Sequence, residues 1–396
     1  MNRILFLTES FYPVLGGGEQ HIRELGRRLV DAGCEVTVVT RQGAPDWPDI
    51  EVLDGIRVRR VAPQGAGRKG KYLMLLPAMW GLVKERSRYD VLVVRGTRVL
   101  GLPGVLMARL LRKSIVLQAE VNGEFSGEIY TWGTRAARGI VDRMLRVLTR
   151  FRNLWLLDAD AFVAMSHQIQ GECLAAGVPR HKLERIPHGV DTQRFRPADT
   201  HERRALRERL GLPIAGELIV YAGRLLRGKG LDNLLEAFAA VRPEFPTAGV
   251  VFVGSGDGQS LSIEAELRAQ AAGFHGAVIF TGRVDDVASH LRAADIAVLP
   301  SVFEALGLGV VEAAACGVPA IGSRTGGIVD VIVDGETGLL SEPGGAASLA
   351  AALRLLLADP ALRARLGARA RERALARFDV RDSVDRYRCL FGELVA

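Results

Sequence analysis

Short apolar, β-branched runs alternate with longer amphipathic ones along the whole chain, and this alternation restricts the fold more than any other feature. In the first half the runs at 4–7, 36–40, 58–61, 91–94, 115–117, 161–164 and 183–186 read as strands. Helical periodicity lies between them at 19–32, 72–86, 102–111 and 134–150. The second half repeats the grammar, with strands at 218–221, 250–253, 278–280, 296–299 and 320–321, and helices near 231–241, 261–271, 287–294 and 310–315. Alternating β and α elements build parallel sheets covered on both faces. Two such series in 396 residues predict an α/β chain of two doubly wound domains. Residues 159–166 echo residues 294–301: each is a helix end, an Asp and a buried run closing on Ser, which fits two similar halves or simply a shared strand grammar. The region 187–216, with Pro187, Gly189, Pro197, Gly211 and Pro213, reads as the linker.

Composition narrows the classes. A hydrophobic fraction of 48% with 24% charged residues is that of a soluble globular protein. No apolar run approaches the roughly 18 residues of a membrane span, and Glu9 interrupts the short apolar start, which reads as a first strand rather than a signal peptide. Cys34, Cys173, Cys316 and Cys389 have no metal-type spacing, so a reducing cytoplasm is the expected setting. Residues 1–190 hold 28 Lys and Arg against 19 Asp and Glu, while the remainder holds 24 against 26. An anionic partner for the first half, or a plainly solvated basic surface, accounts for that excess. No aromatic-studded basic strand or recognition helix accompanies it, so nucleic acid is not the expected partner.

Chemistry concentrates in the second half. Phe303-Glu304-Ala305-Leu306-Gly307-Leu308-Gly309-Val310-Val311-Glu312 follows a strand that Pro300 stops, and its glycines form a loop that opens a helix. A helix N-terminus presents unpaired N–H groups and a positive dipole end, which suits a diphosphate. Were Glu304 and Glu312 on one continuous helix, they would stand about 12 Å apart along its axis, placed for two ends of one ligand. The loop Gly223-Arg224-Leu225-Leu226-Arg227-Gly228-Lys229-Gly230 adds two cations after another strand, at the sheet edge where α/β folds bind ligands. It nearly matches a phosphate loop, but Gly230 stands where the Mg²⁺-binding hydroxyl belongs, which argues against an ATPase. Gly254-Ser255-Gly256 closes a third strand, and Gly16-Gly17-Gly18-Glu19 follows the first strand without the dinucleotide-binding spacing. Asp158-Ala159-Asp160 has a metal-type spacing but precedes its strand, which places it at the far sheet edge and favours a structural role.

Together these residues resemble family-4 (group 1) retaining glycosyltransferases of the GT-B fold. The resemblance also takes in Pro13, the run 186–191, Gly326-Gly327 and the run 334–340. It implies two Rossmann-like domains facing each other across a cleft: an acceptor domain at 1–187, with a C-terminal helix at 378–396 packed back on it, and a donor domain at 188–377. It also implies roles. Arg224 and Lys229 would hold the donor diphosphate and neutralise the leaving group, with no metal and no cofactor beyond the nucleotide-sugar co-substrate. Glu312 would hold the ribose hydroxyls, and Glu304 would face the sugar. Gly223, Gly254, Leu306, Gly307 and Leu308 would line the donor, and Gly16 and Gly17 would close over it.

Two departures touch the acceptor side. The run 117–124 lacks the His that many relatives carry there, leaving Glu120, Asn122 and Glu124 as candidates, and His188 replaces the usual Asn before Gly189. The acceptor class stays open among glycans, lipid-linked and small molecules. Basic stretches around Arg68, Lys69, Lys71 and Trp80, and another with Arg135, Arg138, Arg143, Arg146 and Arg150, fit either a solvated face or peripheral contact with the anionic inner face of a membrane. A same-fold nucleotide-sugar epimerase, a sugar phosphorylase and a non-catalytic nucleotide-sugar-binding protein fit the same donor residues.

Overall fold

A computed structural model describes residues 2–14, 16–65, 69–128, 140–259 and 261–395. The chain divides into two compact units, Met1–Pro187 with Arg381–Ala396, and His188–Val380. The first holds β1 (Arg3–Leu7), β2 (Glu35–Arg41), β3 (Ile50–Leu53), β4 (Ile56–Val61), β5 (Val91–Arg95), β6 (Ser114–Gln118), β7 (Ala161–Ala164) and β8 (Leu183–Arg185). They form one sheet in the order β3-β4-β2-β1-β5-β6-β7-β8. The unbroken apolar runs belong to its middle, where Ile4, Leu5, Leu92 and Val93 are wholly buried.

Strict alternation fails once. β3 and β4 pair antiparallel across Asp54-Gly55, both with positive φ (50° and 79°). Asp-Gly is the pair that a two-residue hairpin turn favours, and this short edge strand was not among the predicted ones. The helix expected at 72–86 is two, Gly70–Leu73 and Leu75–Lys84, and that at 134–150 is described as Ile140–Leu156. Arg68, Arg135 and Arg138 lie outside the described residues. The C-terminal helix, Val380–Val395, is held by Tyr387, whose buried hydroxyl donates to Gln118 Oε1 at 3.2 Å. Ser114 Oγ donates to the carbonyl of Leu394 at 2.8 Å.

The second unit holds β9 (Leu218–Ala222), β10 (Gly249–Val253), β11 (Val278–Gly282), β12 (Ile296–Leu299), β13 (Ala320–Ser323) and β14 (Gly338–Ser341). Every pair is parallel, in the order β11-β10-β9-β12-β13-β14. Helices Ala346–Ala358 and Pro360–Arg377, which the sequence reading did not pick out, close the unit. The run 188–216, which composition marks as a linker and the resemblance assigns to the second domain, is part of this unit. Its helix Thr200–Leu210 is capped by Asp199, and its Arg207 is buried with the guanidinium on Asp295 Oδ2 (2.5 Å) and the carbonyl of Ala293 (2.9 Å).

The echo between 159–166 and 294–301 has a physical cause. Asp160 Oδ2 accepts the N–H of Ile115 at 2.8 Å, and Asp295 Oδ2 accepts that of Leu218 at 2.8 Å. Each Asp closes the open start of a neighbouring strand, and each is paired with arginine: Arg109 for Asp160, Arg203 and Arg207 for Asp295. The two strands nevertheless sit at different places in their sheets, β7 near an edge and β12 beside β9. The likeness is one of strand capping, not of equivalent position. Asp158 is likewise bonded to Arg109, at 2.7 Å. Asp295→Ala would strand the buried Arg207 charge and a strand N–H together, an expected loss of about 3–5 kcal/mol, read from urea unfolding followed by circular dichroism.

Candidate active site

In the second unit the chain builds outward from β9 through β10 to β11, then crosses back to lay β12 on the other side of β9. Loops that leave adjacent strands in opposite directions part at their C-terminal ends, and that crevice is where doubly wound sheets bind ligands. The loops after β9 and β12 are those carrying Arg224, Lys229 and Glu304.

Backbone contacts set their positions. Gly254 has φ +133°, and a Cβ there would lie 2.1 Å from the carbonyl oxygen of Gly223. Gly230 has φ +65°, and a Cβ there would lie 2.1 Å from the carbonyl oxygen of Pro300. Only glycine permits both approaches. Val302 N–H donates to the carbonyl of Gly228 at 2.9 Å, and Leu225 N–H to that of Ser255 at 3.2 Å. The three loops thus form one platform.

On it, Lys229 Nζ meets Glu304 Oε2 at 2.7 Å, and Ser301 Oγ donates to the same oxygen at 3.2 Å. Gly327 N–H reaches the carbonyl of Glu304 at 3.4 Å, so the Gly326-Gly327 turn braces the segment from behind. Arg224 is exposed, with no hydrogen bond or ion pair to its guanidinium among the described residues, while its carbonyl accepts from the Tyr221 hydroxyl at 2.8 Å. Burial pushes the Tyr221 phenol well above its ordinary range, keeping it a donor.

Glu304 and Glu312 do not share a helix. The helix spans Leu308–Ala315 and Gly307 caps it with φ +89°, so Glu304 lies in the preceding loop and the single-helix spacing does not apply. The first N–H groups from Leu308 onward lack partners inside the helix. Leu306 is buried, which leaves only its backbone to a ligand. Glu312 sits among Val310, Val311, Ala313 and Ala315, all buried. Among the described residues no donor reaches its carboxylate. Burial pushes it up to about 7, and the charge of Arg194 offsets only part of that.

The first unit gathers charge at its own reversal point, between β1 and β5. Arg95, at the end of β5, is almost wholly buried. Its guanidinium donates to the carbonyl of Gly18 at 2.9 Å and pairs with Glu120 at 3.3 Å. Glu120 too is pushed up to about 7, by burial first, with Arg95 opposing and Glu19, Glu124 and Glu9 adding to the rise. Gly16 caps the helix Gly17–Asp31, so Gly17 supplies one of its unpaired N–H groups. Asn122 Nδ2 donates to Gln168 at 3.2 Å. Glu124 is committed to the loop itself, accepting from Thr97 Oγ1 (2.7 Å), Arg98 N–H (3.3 Å), Glu120 N–H (3.0 Å) and Val121 N–H (3.2 Å). With its oxygens filled it braces its own loop, and Glu120 keeps the more open carboxylate. Among the described residues no group of three or more His, Cys, Asp or Glu is gathered as a metal site needs.

The sequence profile described as Glycosyl transferases group 1 matches residues 202–373, and that described as Glycosyltransferase Family 4 matches residues 15–194. A D-inositol 3-phosphate glycosyltransferase of Nocardiopsis dassonvillei is 31% identical over 385 residues, covering 91% of this chain and 85% of its own. The chain belongs to glycosyltransferase family 4. An N-acetyl-alpha-D-glucosaminyl L-malate synthase of Bacillus anthracis is 27% identical over 387 residues, covering 97% of this chain and 96% of its own. The sucrose-phosphate synthase structure from Thermosynechococcus elongatus superposes with a TM-score of 0.84 at 25% identity, covering 100% of this chain and 99% of that one. The parallel sheets of this glycosyltransferase are those of the GT-B fold.

Two residues of the candidate site escaped the sequence reading. Arg95 stands directly after the apolar run 91–94 and before Gly96, a charged strand end that marks a sheet's reversal point. Ser301 was visible only as part of an echo, not as the donor that holds Glu304.

Glu312 also has a stability signature. Its folded carboxyl stays protonated up to about 7, whereas the unfolded one releases its proton near the ordinary 4.5, so stability falls as pH rises through that window. Glu312→Gln removes the burden. The variant is expected to match the parent near pH 4.5 and exceed it above pH 7 by about 1–2 kcal/mol, a figure discounted for partial exposure and read from unfolding curves at both pH values.

Proposed function

We propose that this glycosyltransferase takes a nucleotide-diphosphate sugar and transfers the sugar, with its anomeric configuration retained, to a hydroxyl of a glycan, lipid-linked or small-molecule acceptor. The observation that carries the reading is the platform at the β9–β12 reversal. It sets an exposed cation with no partner among the described residues, Arg224, beside a second, Lys229, held on Glu304. Two cations near a helix N-terminus suit a diphosphate and the charge it gains on leaving, the work a metal ion does elsewhere. Glu312, a carboxylate without a donor, suits the two adjacent hydroxyls of a ribose. Glu304, fixed by Lys229 and Ser301, suits a sugar hydroxyl.

The reaction then needs little covalent help from the protein. The bond from the anomeric carbon to the diphosphate breaks as Arg224 and Lys229 take up the developing negative charge. The acceptor oxygen bonds to the same face of that carbon, and its proton passes to the departing phosphate oxygen. Glu120, whose carboxyl burial pushes up to about 7, suits the acceptor hydroxyl.

Calorimetric titration with UDP-, GDP-, ADP- and TDP-glucose tests the donor assignment: one should bind, and binding by none overturns it. With the best donor, Arg224→Ala and Lys229→Ala should each lower kcat by about 10²–10³-fold, measured by release of the nucleoside diphosphate. Donor affinity should rise as pH increases through about 7, because ionised Glu312 accepts from hydroxyls better than the neutral acid. Glu312→Gln should weaken binding and flatten that pH dependence in the same titrations.

A further inference from the structure

The helices Leu75–Lys84, Thr97–Leu111 and Ile140–Leu156 pack side by side in the first unit. Each belongs to a crossover that advances the same way across the sheet, from β4 to β5, β5 to β6 and β6 to β7. Right-handed crossovers of one direction cover one face. Their inner sides are ordinary core: Ala78, Leu82, Leu100, Val105 and Leu156 are buried.

Their outer sides are not ordinary. On the first helix Leu76 is 76% exposed and Trp80 59%, with Tyr72 and Leu73 extending the stripe from the preceding turn. The second presents Leu102, Leu106 and Leu110 in an i, i+4, i+8 row, all exposed. The third presents Met144, Val147, Phe151 and Trp155 along one side, with Trp155 70% exposed. Side chains of this size leave on the order of 1000 Å² of apolar surface in water, where an ordinary monomer leaves a few hundred.

Charge completes the pattern. From Gly70 to Leu156 these helices contain no Glu, and Asp142 is their one Asp. Lys84, Arg143, Arg146 and Arg150 are exposed among the apolar stripes. Lys84 Nζ lies 5.7 Å from the ring centre of Trp80, and Lys71 Nζ 5.3 Å from that of Tyr72. Arg109 is excluded from the count, since Asp158 and Asp160 neutralise it.

We propose that this three-helix face docks on an anionic lipid bilayer. A second copy of the chain would oppose the same basic rows to themselves, with Asp142 the one acidic residue of these helices to answer them. A bilayer answers every part: acyl chains for the leucines, the headgroup boundary for Trp80, Trp155 and Tyr72, and negative surface potential for Lys84 and the arginines. Among the described residues no helix is long and apolar enough to cross a membrane, so the face lies on the bilayer.

Sedimentation of the full chain with vesicles of phosphatidylcholine, alone or mixed with phosphatidylglycerol, tests this without any sugar donor, so its outcome is separate from that of the donor site. The chain should pellet with the mixed vesicles and stay in solution with phosphatidylcholine alone. Arg146→Glu/Arg150→Glu and Leu106→Ser/Trp155→Ser should each weaken binding tenfold or more. All four positions are exposed, and an unchanged circular dichroism melt confirms folding. No pelleting with mixed vesicles overturns the proposal, as does equal pelleting by both variants and the parent. A dimer in light scattering that Leu106→Ser/Trp155→Ser dissociates, with no vesicle binding, assigns the face to a second copy instead and overturns it as well.

Discussion

The crossing of the chain from β11 back to β12, on the far side of β9, is the event on which the candidate site of the second unit depends. Parallel strands need long crossovers, and each crossover carries the following loop to one side of the sheet or the other. Where the side changes, two loops part and leave room at the strand ends. The loops of Arg224 and Glu304 are 80 residues apart in sequence, yet the reversal makes them neighbours, and Lys229 on Glu304 closes the gap at 2.7 Å. Gly230 against Pro300 and Gly254 against Gly223 then hold the backbones closer than any side chain would allow.

Both units place a cation and a carboxylate at such a reversal, but they treat them differently. Arg95 is buried, donates to the carbonyl of Gly18 and stands 3.3 Å from Glu120. Lys229 is only partly covered, and beside it Arg224 has no partner among the described residues. A buried cation held between a carbonyl and a carboxylate sets geometry. An exposed cation beside a paired one keeps charge available for a ligand. Glu312 follows the same logic with the opposite sign, since no donor reaches its carboxyl among the described residues and burial raises its affinity for a proton. Each of these arrangements costs stability that the surrounding core offsets, as strained and under-satisfied groups at functional sites do.

The three outward stripes of the first unit show how a sequence pattern changes meaning on folding. The basic residues from Lys69 to Arg150 read equally well as a solvated surface while only their helices were in view. Leu102, Leu106 and Leu110 attracted no notice, because an apolar row on a helix is ordinarily its inner side. The packing turns a different row inward, Leu100, Gly104, Val105 and Ala108, and leaves the leucines outside.

The sequence by itself determined the two α/β units, because β-branched runs and amphipathic periods report local burial and need no partner to be read. It also determined the residue types of the donor platform, since glycines, a strand-ending Pro300 and flanking charges mark strand-to-helix loops directly. Edge elements with weaker patterns, such as β3 and β14, were not legible, because pairing decides them. Only the tertiary structure separated Glu304 from the helix of Glu312, committed Glu124 to its own loop, and joined Arg95 to Glu120. Those are distances between segments remote in the chain, and the order of strands in a sheet, which no local pattern encodes, sets them.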